Sequence, residues 1–400
     1  MRVTIVSRIY APEVSAASGL LTSWAEAFRD RGADVTVVTT TPPHGATIDD
    51  PPGIRVKRAW VLRDRQQYVR GYLSYLSFDV PLVFRLLFAR KTDLYVVEPP
   101  PTTVAVVRII SILRRTPYIV DAADLWSDAA ALATRSTLVL KALRRVERFA
   151  LQGAARSLVV HQVYADRMRE LNIATTTTVI GFGADTGTFV YRGESVANEP
   201  LFVYAGTYSE WHGAQIFVEA FARLLPTHPH ARLRFIGNGQ ERDALRTRIQ
   251  ELGIEHAATV ETPISPAELA PILAGATASL ASLKPDGYHY AMATKVFSSL
   301  AAGCPVIFAG GGPTAPFIRD ASNPDAGRAV EYDVDAVVEA MRQAATAPLP
   351  ASARAALSTW THHEHSLAAI ARVVANEGLG LVGGGAENFH SAQRSPENHE

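Results

Sequence analysis

The chain has one cysteine, Cys304, in 400 residues, so no internal disulfide framework can form. That scarcity fits a reducing compartment and predicts a cytoplasmic protein. It also lacks a charge excess: 39 Lys and Arg balance 39 Asp and Glu, so no global field recruits nucleic acid. There is no apolar run of the ~18 residues that span a bilayer, because Arg108, Arg114 and Arg115 break the longest candidate. No signal peptide is expected, since Met1-Arg2 leads straight into Val3-Thr4-Ile5-Val6 and a turn. What remains is 48% hydrophobic and 20% charged, enough for two ordinary domains with sizeable cores.

Those residues alternate in short apolar runs and amphipathic stretches. Val3–Val6, a helix over 17–31 and a strand over 34–39 make a βαβ unit, the opening of a parallel, doubly wound sheet. Residues 40–64, rich in Pro, Gly and Asp, read as a mobile excursion. Strands over 94–98, 118–121, 157–160 and 177–180 continue the sheet, and the pattern restarts at Pro200 after a polar linker. The expected architecture is α/β, two facing Rossmann-like domains with a cleft between them. Domain one spans 1–190, the linker 191–199 and domain two 200–347. A helical segment over 348–377 follows, and 378–400 reads as a disordered tail. The glycines at 378, 380 and 383 match GxGxxG but follow a helix, so they are read as a flexible linker.

The most informative stretch is Lys284–Pro313. Thr294 is a candidate N-cap before Lys295, Val296, Phe297, Leu300 and Ala301 at helical spacing, with Gly303 and Pro305 as the stop. A lysine in the first turn suits a phosphate; an ordinary sheet connection with a solvated lysine is an equally good local reading. Two more strand-to-helix loops, 205–214 and 236–241, carry Gly206, Thr207, Ser209, His212, Gly213, Gly237, Asn238 and Gly239. Glycines admit close backbone approach, hydroxyls make contacts, and His212 would donate to a phosphate, more strongly when protonated. At the other end of the chain, Ser15, Ser18 and Gly19 follow the first strand, and Asp121, Asp124 and Trp126 follow the 118–121 strand. A fixed carboxylate there can orient a sugar hydroxyl, while Ser15, Ser18 and Asp124 have helix capping as their plain alternative. From Arg55 to Arg115, twelve Lys and Arg face four Asp and Glu, interleaved with aromatics. Within it, residues 65–91 are expected either to pack as core or to contact a membrane surface peripherally.

The order of YAPEVSAAS, RGYLSYLSF, DAADLWSDA, VIGFGADTGTF, VYAGTYSEWHGAQIFVEAF, FIGNGQE and ATKVFSSLAAGCPVI resembles a retaining glycosyltransferase of family 4 with the GT-B fold. The resemblance is greatest to the branch building bacterial surface polysaccharides on lipid-linked acceptors. It implies a nucleoside-diphosphate sugar held by the second domain, with Gly206, Thr207, His212, Gly213 and Lys295 near the diphosphate. Gly237, Asn238 and Gly239 would lie near the base and Ser298 near the ribose. The acceptor would meet Ser15, Ser18, Gly19, Asp121 and Trp126, with Asp124 and Lys295 in catalytic roles. No metal or cofactor is implied. Two glutamates common in the family are replaced by Tyr290 and Ser298, a basic residue by His212, and an asparagine by Phe182. A catalytically silent partner of another glycosyltransferase is therefore the alternative reading; a sugar-nucleotide epimerase fits the first-domain motifs less well.

Overall fold

The computed structural model describes residues 1–13, 15–43, 45–64, 67, 69, 71–123, 125–134, 136–194, 199–285, 290–320 and 324–383. Two compact units emerge, one of residues 1–181 with those from Ile370 on, the other of residues 182–369.

The first unit contains β1 (Arg2–Val6), α1 (Ala16–Asp30), β2 (Asp34–Thr40), β3 (Ile54–Ala59), α2 (Tyr72–Leu87) and β4 (Leu94–Val97). It continues with α3 (Pro101–Arg114), β5 (Tyr118–Asp121), α4 (Trp126–Ala133), α5 (Thr137–Gln152), β6 (Arg156–Val159), α6 (Gln162–Glu170) and β7 (Thr177–Val179). The sheet is parallel, in the order β3-β2-β1-β4-β5-β6-β7. Helices cover both faces of such a sheet, so its inner strands are apolar throughout rather than alternating. β4 and β5 are accordingly buried at every position. Trp24 and Phe28 of α1 fill the core against Val3, Ile5 and Val35.

The second unit runs β8 (Leu201–Thr207), α7 (Gln215–Leu224), β9 (Arg232–Asn238), α8 (Arg242–Glu251), β10 (Ala258–Glu261), α9 (Pro266–Gly275) and β11 (Ala278–Leu283). Then come α10 (Lys295–Ala301), β12 (Val306–Gly310), α11 (Thr314–Arg319), β13 (Gly327–Val330), α12 (Val334–Thr346) and α13 (Ala351–Glu364). Its parallel sheet has the order β10-β9-β8-β11-β12-β13. A capping box starts α9: Ser265 Oγ accepts from the Glu268 N–H at 3.3 Å, and Glu268 accepts from the Ser265 N–H at 2.9 Å. The last helix, α14 (Leu367–Gly383), leaves this unit at Ile370 and inserts Ile370, Ala371, Val374 and Ala375 into the first unit's core.

Four expectations need correction. The excursion at 40–64 contains β3, which pairs with β2 along its whole length; its alternating Ile54-Arg55-Val56-Lys57 pattern suits an edge strand with one solvated face. Gly378–Gly383 is helix, not linker. A side chain at 378 would press on Leu94 and the Phe28 ring at 2.8 Å, so glycine there permits α14 to lie close against the sheet and α1. The first unit ends at Gly181 rather than 190, because Phe182, Ala184 and Phe189 join a core with Val203, Phe297 and Cys304. Thr294 is helical and its side chain makes no cap hydrogen bond. The expected tail from 384 onward lies outside the described residues.

Candidate functional site in the second unit

In an open parallel sheet the strand order reverses at one point, and the loops leaving the carboxyl ends of the two flanking strands part there to leave a crevice. In the second unit that point lies between β8 and β11. The end of β8 and the loop after it carry Gly206 to Gly213, and the helix following β11 begins with Lys295. Sequence reasoning placed these segments at successive strand ends; the topology sets them on opposite sides of the switch point.

Lys295 is the chemical centre. Among the described residues its buried Nζ has no hydrogen-bond partner, and it stands 3.6 Å from the centroid of the Tyr204 ring. The Tyr204 ring is in turn fixed by Tyr208, Phe217 and Phe235, with centroids 5.6–6.1 Å away. A cation over a π face recovers part of the cost of losing water, though less than a carboxylate would. Burial consequently pulls the Lys295 pKa down to about 7. The side chain lies beside Gly206, whose added Cβ would sit 3.4 Å from Lys295 Cε and 3.5 Å from Nζ.

The glycines have separate reasons. Gly206 and Gly237 are register partners on β8 and β9. Gly237 has φ +156°, and a Cβ there would collide with the Gly206 carbonyl. Gly239, at φ +157°, would meet the Tyr208 backbone. Asn238 is spent locally, its Oδ1 accepting the Gly239 N–H at 2.9 Å, while Thr207 stays exposed. Gly213, at φ +61°, accepts the Tyr332 hydroxyl at its carbonyl, 2.7 Å away, and faces Lys284. Gly237→Ala is expected to destabilise the second unit by about 2–4 kcal/mol, because the clash is with paired backbone that cannot swing aside. Urea unfolding checks this.

His212 is neutral, so the stronger, protonated form of the expected donor is not the one present. Its Nδ1 accepts the Ser209 N–H at 3.3 Å, which leaves the ring proton on Nε2. Burial first, and the Lys295 charge second, push its pKa down to about 3. It stacks on Trp211 at 3.8 Å as a neutral group. Ser298 lies one turn beyond Lys295, half-buried, and its hydroxyl makes no hydrogen bond to the glycine loops among the described residues. Tyr290 is buried, at 4% exposure. Phe182 packs on Phe297 at 6.0 Å. Glu241 escaped the sequence reading: its buried Oε2 has no hydrogen-bond partner among the described residues, and burial raises its pKa against the opposing pull of Lys284.

The first unit has its own switch point, between β1 and β4. Ser15 caps α1, accepting the Ser18 N–H at 3.1 Å, so its side chain serves the helix. Ser18 is buried and Gly19 lies in the first turn, its N–H on the Ser15 carbonyl at 3.3 Å. Asp121 ends β5 and is buried, and Trp126 starts α4 with its ring edge-on to Tyr75 at 6.0 Å. Asp124 lies outside the described residues. Sequence reasoning missed Arg8, which is buried after β1, donates to the Pro99 carbonyl at 3.3 Å and lies 4.3 Å over the Tyr75 ring. Among the described residues no group of three or more His, Cys, Asp or Glu is arranged to hold a metal.

No curated protein sequence matches the chain. Among solved structures, a sucrose-phosphate synthase from Thermosynechococcus elongatus is similar at TM-score 0.74 and 17% identity, covering 96% of this chain and 100% of that one. HepE of Anabaena, crystallised with UDP and glucose, gives TM-score 0.66 and 18% identity over 94% and 99% of the two chains. WaaG, a glycosyltransferase of lipopolysaccharide biosynthesis, gives 0.65 and 15% over 94% and 100%. At these identities the likeness is one of fold, and the fold is GT-B. The family model described as glycosyl transferase 4-like domain matches residues 20–183, and that described as glycosyl transferases group 1 matches residues 199–347. With one model over each of its two parallel-sheet units, the chain belongs to the GT-B glycosyltransferases of family 4 type.

Proposed function

We propose that the chain moves a sugar from a nucleoside-diphosphate sugar to an acceptor hydroxyl, with retention of anomeric configuration and without a bound metal. The acceptor is a lipid-linked or cell-surface glycan intermediate. The observation that carries this reading is the buried Lys295 ammonium, which has no hydrogen-bond partner among the described residues and is set beside Gly206 at the second unit's switch point. A site built to leave a cation unpaired is a site for an anion. The UDP and UDP-glucose held by HepE and the lipopolysaccharide role of WaaG agree in kind.

In the reaction, the bond from C1 of the sugar to the diphosphate oxygen breaks as the acceptor oxygen bonds to C1 on the same face. The acceptor proton passes to the departing diphosphate. Negative charge grows on that leaving group, and Lys295 meets it in a water-poor setting where a fixed charge counts most. Tyr290 and Ser298 favour a second reading, the catalytically silent partner, because neither supplies a carboxylate to the donor.

A melting-temperature screen against nucleoside diphosphates and their sugars separates the two. The active reading expects a rise with one base, of about 2.7 kcal/mol in stability at a hundredfold excess over Kd. That rise is unaffected by EDTA and absent in Lys295→Ala. No rise across the panel at millimolar ligand supports the silent partner.

A further inference from the structure

We propose that Arg8 binds an oxyanion carried by the acceptor sugar, a carboxylate or a phosphate ester, at the first unit's switch point between β1 and β4; this rests on the sugar-transfer reading. Arg8 is the second residue after β1 and is 4% exposed. A guanidinium enclosed to that degree has lost its water, and its burial is costly unless a carboxylate or well-placed carbonyls replace that water. Arg8 receives little in exchange. Its Nη1 and Nη2 donate to the Val69 and Pro99 carbonyls at 3.4 and 3.3 Å, longer than good hydrogen bonds, and its buried Nε has no hydrogen-bond partner among the described residues. Arg58 and Arg63, toward the same end of the sheet, each hold a carboxylate, Asp50 at 2.6 Å and Glu13 at 2.5 Å. Arg8 has no carboxylate within ion-pair distance among the described residues. Asp79 on α2 feels the Arg8 charge from farther off, but burial raises its pKa and its Oδ1 accepts the Thr103 hydroxyl at 2.6 Å.

The groups around the guanidinium suit a sugar. Arg8 lies 4.3 Å over the Tyr75 ring and 6.0 Å from the Trp126 ring, and both aromatics are only half-buried. The apolar face of a pyranose packs on such rings, whose planes here stand at 79° to each other. Pro99 and Trp126 also line a small cavity with Asp121 and Glu147. Glu147 accepts the Ser127 N–H at 3.3 Å, and burial raises its pKa, so it adds little negative charge. Asp121 ends β5 there, and a carboxylate accepts from sugar hydroxyls. Aromatic faces for a ring, an acceptor for its hydroxyls and an unanswered cation together match an acidic or phosphorylated sugar. A neutral sugar would leave the Arg8 charge without a counterion.

Calorimetric titration of the full chain, without nucleotide, tests this with glucose 1-phosphate, glucuronic acid, glucose and inorganic phosphate. At low salt one or both anionic sugars should bind at least tenfold more tightly than glucose, and the tighter of the two identifies the oxyanion as phosphate ester or carboxylate. Arg8→Gln should abolish that preference, and Arg8→Lys should restore part of it. Trp126→Phe should weaken anionic and neutral sugars alike. The melting temperature of Arg8→Gln should not fall, because an unpaired buried charge is removed. Equal affinity for glucose and the anionic sugars overturns the proposal, as does failure of both anionic sugars to bind, and neither result depends on a variant that folds. Inorganic phosphate bound as tightly as the sugar phosphate overturns it too. Binding that survives Arg8→Gln but is lost in Lys295→Ala places the anion in the donor site and equally overturns it. Since no donor is present, failure of the sugar-transfer reading is seen separately, in the nucleotide screen.

Discussion

Replacing Lys295 with methionine is expected to lower kcat/KM for sugar transfer by about 10²–10³-fold, the range for losing one fixed stabiliser of developing negative charge. The same change should stabilise the protein without ligand. The ammonium is buried and, among the described residues, has no hydrogen-bond partner and lies on the Tyr204 ring face, so its burial costs free energy that a methionine of similar length would not incur. A gain of about 1–3 kcal/mol is expected, or roughly 2–4 °C in Tm for each kcal/mol in a unit of this size. Activity lost while stability rises is the signature of a group retained for its ligand.

The pH dependence follows from the same lysine. Its pKa in the folded protein, about 7, lies below that of an exposed lysine. The unfolded chain therefore holds more protons between pH 7 and about 10.4, and stability from this group rises with pH across that window. The advantage of Lys295→Met is thus greatest at and below pH 7 and fades toward pH 10. An anionic ligand needs the charged form, so above pH 7 its binding draws a proton from solution. Calorimetry at pH 8 in buffers of different ionisation enthalpy should show proton uptake approaching one, lost in Lys295→Met. Neighbouring groups do not imitate this: His212 is held neutral, and the variant comparison cancels Glu241, Lys284, Tyr204 and Tyr332.

Arg354→Ala is expected to produce the largest loss of stability, about 3–5 kcal/mol, with a fall in Tm on the order of 10 °C. Arg354 is wholly buried, and its guanidinium donates to three carbonyls, Leu349 at 3.1 Å, Ala274 at 3.0 Å and Ala276 at 2.5 Å. Two of these lie at the C-terminal end of α9, where unpaired carbonyls accumulate partial negative charge. Alanine takes the guanidinium donor from all three, leaving the Ala276 carbonyl only the weak Cys304 thiol donor at 4.0 Å, and opens a cavity between α9 and α13. Arg354→Lys should recover less than half of the loss, because one ammonium cannot reproduce the planar fork. Differential scanning calorimetry should place the change in a transition of the second unit, with the first unit's transition unmoved.

Much of the fold was legible because parallel strands covered on both faces must be apolar throughout, and runs such as Leu94–Val97 and Tyr118–Asp121 could be little else. Glycine loops and Lys295 also stood out. What stayed hidden depends on partners remote in sequence. Tyr204 reads as an ordinary strand residue until α10 lays a lysine on its ring. Arg354, in Pro350-Ala-Ser-Ala-Arg, looks like a surface charge on a helix and is the most enclosed cation of its unit. His212 has a donor's spacing, but that the Ser209 amide takes Nδ1 and leaves only Nε2–H to donate could not be read from the sequence. Gly378 resembles a hinge because the ring it must accommodate, Phe28, is 350 residues away.

The most direct measurement is a crystal structure of the chain with the nucleoside diphosphate that raises its melting temperature. The account predicts a diphosphate oxygen within about 3 Å of Lys295 Nζ, beside Gly206. A nucleotide bound in that crystal with its phosphates away from Lys295, and the ammonium still lying on the Tyr204 ring, would contradict it.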